Sequence, residues 1–133
     1  TLGAGLQTVN IQAGAAAAAT LDKMTSITSA ATGDKIDFTA ILGGTDANVD
    51  TITNVTTTIG GAASLTAALD LAAAAGGAQA DGSIVYFNWV DGNTYLVGEV
   101  IGAADGLAAG DAVVKLVGTY SAFTAADGIV TLG

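Results

Sequence analysis

The chain alternates polar and apolar positions in short runs, the period of half-buried strands rather than of helices. "TVNIQ" (Thr8–Gln12) is the first such run and "LDKMTSIT" (Leu21–Thr28) the second. In "ATGDKIDFTAI" (Ala31–Ile41) a turn at Thr32-Gly33-Asp34 leads into a short strand. "VDTITNVTTTI" (Val49–Ile59) reads either as a strand or as a helical turn running into a polar loop. The strongest alternation covers Ile84–Val90 and Thr94–Val100, with Asp91-Gly92-Asn93 between them as a hairpin signal. Val85, Phe87 and Trp89 then point one way and Ile84, Tyr86 and Val90 the other, while Tyr95 and Val97 oppose Leu96. "AVVKLVG" (Ala112–Gly118) and the closing "GIVTLG" add further strands.

One segment follows a different period. "SLTAALDLAAAA" (Ser64–Ala75) is rich in Ala and Leu, with Ser64 placed to cap its start and Gly76-Gly77 to stop it. It is the predicted helix, with Leu65 and Leu69 on one face. Ala15–Ala19 lies among β-favouring residues and reads as a tightly packed strand or turn. The expected fold is mainly β: antiparallel sheets in a sandwich or β-roll-like arrangement, with one Ala-rich helix inserted at about 64–75. One domain spans 1–133, and residues 1–14 form an edge strand or assembly arm. The expected core is Leu65, Leu69, Phe87, Trp89, Tyr95 and Val97. The stretch Gly82–Glu99 holds Tyr86, Phe87, Trp89 and Tyr95, four of the seven aromatic residues, and so serves as the nucleus on which small residues pack.

Composition narrows the chemistry. Twelve acids face three lysines, for a net charge of −9, with no Arg or His. Nucleic acid and anionic membrane surfaces are repelled. With no Cys and no His, disulfides, thiolate or histidine zinc sites and a Ser-His-Asp triad are excluded. Hard, oxygen-seeking cations remain, and calcium is the expected one. No apolar run approaches the roughly 20 residues of a membrane-spanning helix, so direct membrane insertion is not expected. The chain starts at Thr1 rather than Met, as expected of a fragment or processed product.

Several motifs carry a chemical reading beside a plainer one. Asp34 with Asp37, and Asp105 with Asp111, are paired carboxylates, but turn-capping explains acids in such loops without a cleft. "GGTDANVD" (Gly43–Asp50) is distantly similar to the Gly- and Asp-rich nonapeptide of calcium-binding β-rolls. Asp34, Asp46 and Asp50, acids near Gly turns, are therefore the calcium candidates. Asn54-Val55-Thr56 fits the N-glycosylation triplet, which also arises by chance in a Thr-rich chain. Thr8, Val9, Asn10, Ile11 and Gln12 form an alternating edge, a template on which another chain can pair.

Three segments in order resemble a known family. "ATGDKIDFTAI" is similar to a segment that follows the β-rolls of RTX proteins exported by type I secretion. "IVYFNWVDGNTYLVGE" resembles a hairpin near the C-termini of such proteins, which include S-layer proteins and large adhesins. "GDAVVKLVGTYSAFTAADGIVTL" (Gly110–Leu132) resembles their closing segment, to which serralysin-type proteases are also related. The likeness runs from about Leu21 to Leu132. Clean GGxGxD repeats are missing, so a full calcium ladder is not expected, and no HExxH protease motif is present.

The resemblance implies a secreted, bacterial, cell-surface protein. The expected function is an extracellular structural subunit that assembles with copies of itself into a layer or fibre, with no catalysis. The alternative is the C-terminal secretion and folding module of a larger adhesin or protease of this class.

Overall fold

A computed structural model describes residues 5–11, 24–42, 49, 51–76, 83–99, 106–108 and 110–133. Among these residues nine strands and one helix form a mainly β fold with a single helix, as the alternation and the Ala-rich segment predict. A four-stranded sheet runs β1 (Thr8–Asn10), β3 (Lys35–Asp37), β9 (Ile129–Leu132), β8 (Phe123–Ala126). A five-stranded sheet runs β2 (Thr25–Ile27), β7 (Ala112–Leu116), β6 (Thr94–Glu99), β5 (Ser83–Asn88), β4 (Ile52–Asn54). The segment Val49–Ile59 uses both of its readings. Ile52–Asn54 is strand β4, and the chain then coils into a turn in which Ile59 N–H bonds the Val55 carbonyl at 3.1 Å.

Period-2 alternation sends each strand of the larger sheet two ways. Ile84, Tyr86, Leu96, Val114 and Leu116 face the smaller sheet and meet Ile36, Phe38, Val130 and Leu132. Val85, Phe87, Tyr95, Val97 and Val113 face outward onto the helix α1 (Leu65–Gly76). The molecule is thus layered sheet on sheet with a helix over the larger sheet. Burying a large apolar side chain stabilises by about 1.5–3 kcal/mol, so these two interfaces carry the fold. Leu69, Phe87, Tyr95 and Val97 of the expected core are fully buried; Leu65 and Trp89 are partly buried at its margin.

The helix begins where Ser64 Oγ accepts the Ala67 N–H at 3.2 Å, a cap on its third residue. Its buried face is Ala68, Leu69, Ala72, Ala73 and Gly76. Four of these five are Ala or Gly, so the helix backbone lies close to the sheet.

Antiparallel pairing holds for β5–β6, β6–β7, β3–β9 and β8–β9. The short strands β1, β2 and β4 instead join in parallel, to β3, β7 and β5. Each reaches its partner by a crossover rather than a hairpin, which permits parallel entry. Strand β8 was not anticipated from the pattern. It joins β9 through Asp127-Gly128, whose φ angles of 51° and 75° form the left-handed pair that a two-residue hairpin requires.

Candidate functional site

Strand register brings three polar side chains into one row. Ser83 on β5 is paired with Glu99 on β6. Gly98 is paired with Ala112, so the next step along the same antiparallel ladder sets Glu99 opposite Asp111. All three share the helix-side face with Val85, Val97 and Val113. All three are buried, with Glu99 and Asp111 each 0% exposed.

The row lies under the C-terminal end of α1. A Cβ on Gly76 would overlap Ser83 Oγ and come within 3.2 Å of Glu99 Oε2, so only glycine lets the helix end there. The Ser83 hydroxyl donates to Glu99 Oε2 at 3.3 Å, and Glu99 Oε1 has no hydrogen-bond partner. Asp111 Oδ2 accepts the Ala108 N–H at 2.6 Å. Burial, then the neighbouring Asp111 charge, push the Glu99 carboxyl up to about 7; the Ser83 hydrogen bond opposes this. Among the described residues no cluster of three or more His, Cys, Asp or Glu gathers.

A second polar group sits at the far end of the same sheet. In the β5–β6 turn, Asp91 Oδ2 accepts the Tyr95 hydroxyl at 2.8 Å and lies 3.6 Å from Lys115 Nζ. Burial alone would raise the Asp91 carboxyl, but hydrogen bonds from Asn93 and Tyr95, with the Lys115 charge, hold it below its ordinary range. Burial, and then Asp91, push the Tyr95 hydroxyl well up. Asn93 Oδ1 accepts the Gly118 N–H at 3.1 Å, fixing the turn to the chain after β7. These contacts lock a turn.

Asp34 is buried, and each carboxylate oxygen already accepts a backbone N–H, from Gln7 at 2.9 Å and from Ala31 at 2.8 Å. It closes the turn before β3 and ties it to the chain entering β1. Asp37 Oδ1 accepts the backbone N–H and the hydroxyl of Thr39. Asp46, Asp50 and Asp105 lie outside the described residues, as do Gln12 and Ala15–Ala19. Thr8 and Asn10 are exposed, Val9 is half-buried, and Ile11 is turned into the core at 2% exposure. Asn54 is exposed, and its Oδ1 accepts the Thr56 N–H at 2.9 Å.

Among the described residues, strand β1 lies at the edge of the smaller sheet. Lys35 N–H bonds the Gln7 carbonyl, and Ile11 N–H bonds the Asp37 carbonyl, both at 2.8 Å. Residues 7, 9 and 11 therefore address β3, and the N–H and C=O of Thr8 and Asn10 point away from the sheet. In the larger sheet β4, an edge strand among the described residues, repeats this: Val55 N–H bonds the Tyr86 carbonyl, leaving the backbone groups of Ile52 and Asn54 facing outward.

Glu99 is legible in the sequence. It continues the run Tyr95, Val97, Glu99 on one face of a strand, a carboxylate at a position the alternation marks as interior. Compared with known proteins, the chain matches no family model and no curated relative.

Proposed function

We propose that this protein is an extracellular structural subunit of a bacterial surface layer or fibre, joining copies of itself through open strand edges and carrying out no catalysis. The observation behind this reading is β1, where the backbone groups of Thr8 and Asn10 face outward from a short, exposed strand. Such an edge is a template for adding a strand from another chain. The β4 edge of the other sheet offers a second template, so one subunit has two surfaces with which to propagate. The likeness of three ordered segments to type I-secreted RTX surface proteins supports the same reading, as does an acidic, Thr-rich composition without Cys.

Electron microscopy of the purified chain tests it. Regular filaments or sheets are expected, and their loss on removal of Thr1–Gln12 or on blocking the β1 edge. Dispersed monomers under all assembly conditions would overturn it and favour a C-terminal secretion module of a larger adhesin or protease.

A further inference from the structure

Glu99 occupies an interior position that an apolar residue would fill at no electrostatic cost. Tyr95 and Val97, four and two residues earlier on the same face, are each 0% exposed, and so is Glu99. Three sources of negative potential meet there. One is the Glu99 carboxylate. The second is Asp111, directly across the ladder. The third is the C-terminal end of α1, whose last carbonyls lack helical partners and whose dipole is negative at that end. A carboxylate is the wrong charge for a helix C-terminus, and a cation is the right one. Lys115 lies on the same face as Asp111 but four residues further along the strand, where it pairs with Asp91.

A proton alone does not complete the site. Protonation removes one charge, but Oε1 then remains a buried hydroxyl or carbonyl without a hydrogen-bond partner, with its desolvation uncompensated. Buried charges in proteins are paired or coordinate metal ions. The oxygens here are hard donors, two carboxylates and a hydroxyl, with no nitrogen or sulfur, which suits calcium-type rather than transition ions.

We propose that the Ser83–Glu99–Asp111 row under the end of α1 binds a hard divalent cation of calcium type, with Glu99 Oε1 as the ligating oxygen now without a partner. The site is separate from Asp34, which closes the turn before β3 in the smaller sheet. It is also independent of strand-edge assembly, since a monomer would carry it. Two acidic ligands place the affinity at the weak end, with Kd on the order of 10⁻⁴–10⁻³ M, the range of extracellular calcium modules.

The test is thermal unfolding of the full chain with calcium chloride or with chelator at pH 8. Calcium at about ten times Kd is expected to raise Tm by roughly 3–6 °C. Glu99→Gln keeps the shape and removes the charge, and its Tm should not respond to calcium. A calcium response that persists in Glu99→Gln overturns the proposal, as does no response in the unmodified chain. Should Glu99→Gln fail to fold, calorimetric titration of the unmodified chain and of Asp111→Asn with calcium chloride decides. Binding that weakens by about tenfold or more in Asp111→Asn supports the site, and equal binding, or no binding in the unmodified chain, overturns it.

Discussion

The Phe38 ring stands where a side chain on Gly98 would begin. Its Cδ1 and Cε1 lie 2.5 Å and 2.9 Å from the position a Cβ would take. Phe38 follows β3 in the smaller sheet and Gly98 belongs to β6 in the larger, so this contact sets how closely the two sheets approach. Gly98→Ala is expected to destabilise by about 1–3 kcal/mol through overpacking, read as a lower urea midpoint with an unchanged slope. Combining it with Phe38→Leu should cost less than the two single changes added together. Strict additivity would mean that the ring moves aside freely.

The carboxyl of Glu99 gives a pH dependence of definite sign. Its pKa rises from 4.5 in the unfolded chain to about 7 in the folded one. The folded state therefore holds a proton that the unfolded state has released. The stability tied to that proton is fully present below about pH 4.5 and is lost as pH rises through about 7. With chelator present, Tm is expected to fall between pH 5 and pH 8, and Glu99→Gln should flatten that fall. An equal fall in the variant would assign the dependence to other groups. Asp91 acts in the opposite sense and in a separate window, since its lowered pKa costs stability only as pH drops below the model-peptide value of 3.8.

The helix sits on the sheet through small residues, and their size is the constraint. Ala72 is fully buried against the sheet, whereas Ala74 faces solvent. Ala72→Leu is expected to destabilise by about 1–3 kcal/mol. Ala74→Leu should stay within about 0.5 kcal/mol of the parent. Equal effects in chemical denaturation would show that α1 is not held by close contact.

The turn between β8 and β9 depends on left-handed backbone. Gly128 has φ of 75°, and a Cβ there would come within 3.1 Å of Leu42 Cδ1. Gly128→Ala is expected to cost about 1–2 kcal/mol. Asp127→Gly, at a φ of 51°, should be close to neutral. Thermal melts of the pair distinguish backbone strain from a general intolerance of change in this turn.

Proline at position 8 separates the edge from the fold. The Thr8 N–H points away from β3, so Thr8→Pro removes an outward donor and leaves the bonds to β3 in place. The variant is expected to melt within about 2 °C of the parent, the change left by a surface substitution within about 0.5 kcal/mol. It should also lose ordered assembly under the microscope. Unchanged filaments would remove β1 from the interface.

Where side chains alternate, the sequence was easy to read. The β5–β6 hairpin, the two-way division of its side chains and the Ser64 start of α1 all follow from period, turn residues and caps. Pairing partners of short strands do not. Three residues such as Thr25–Ile27 contain no information about which distant strand they will meet, and β1, β2 and β4 therefore enter the sheets in unforeseen parallel pairings. The Asp127-Gly128 turn carried a readable signal that the weak alternation of "FTAA" obscured. The polar row was half legible. Alternation puts Glu99 inside, but only the register of β6 against β7 reveals that Asp111 stands opposite.

The smaller sheet joins Ile36 to Val130, positions nearly a hundred residues apart, and β9 lies between β3 and β8. Until residues 129–132 have been made, β3 has no antiparallel neighbour and one side of the inter-sheet core has nothing to cover it. Closing so distant a contact is slow on entropic grounds. The order of strands thus acts as a timer: the double-sheet layer sets only after β9 has arrived.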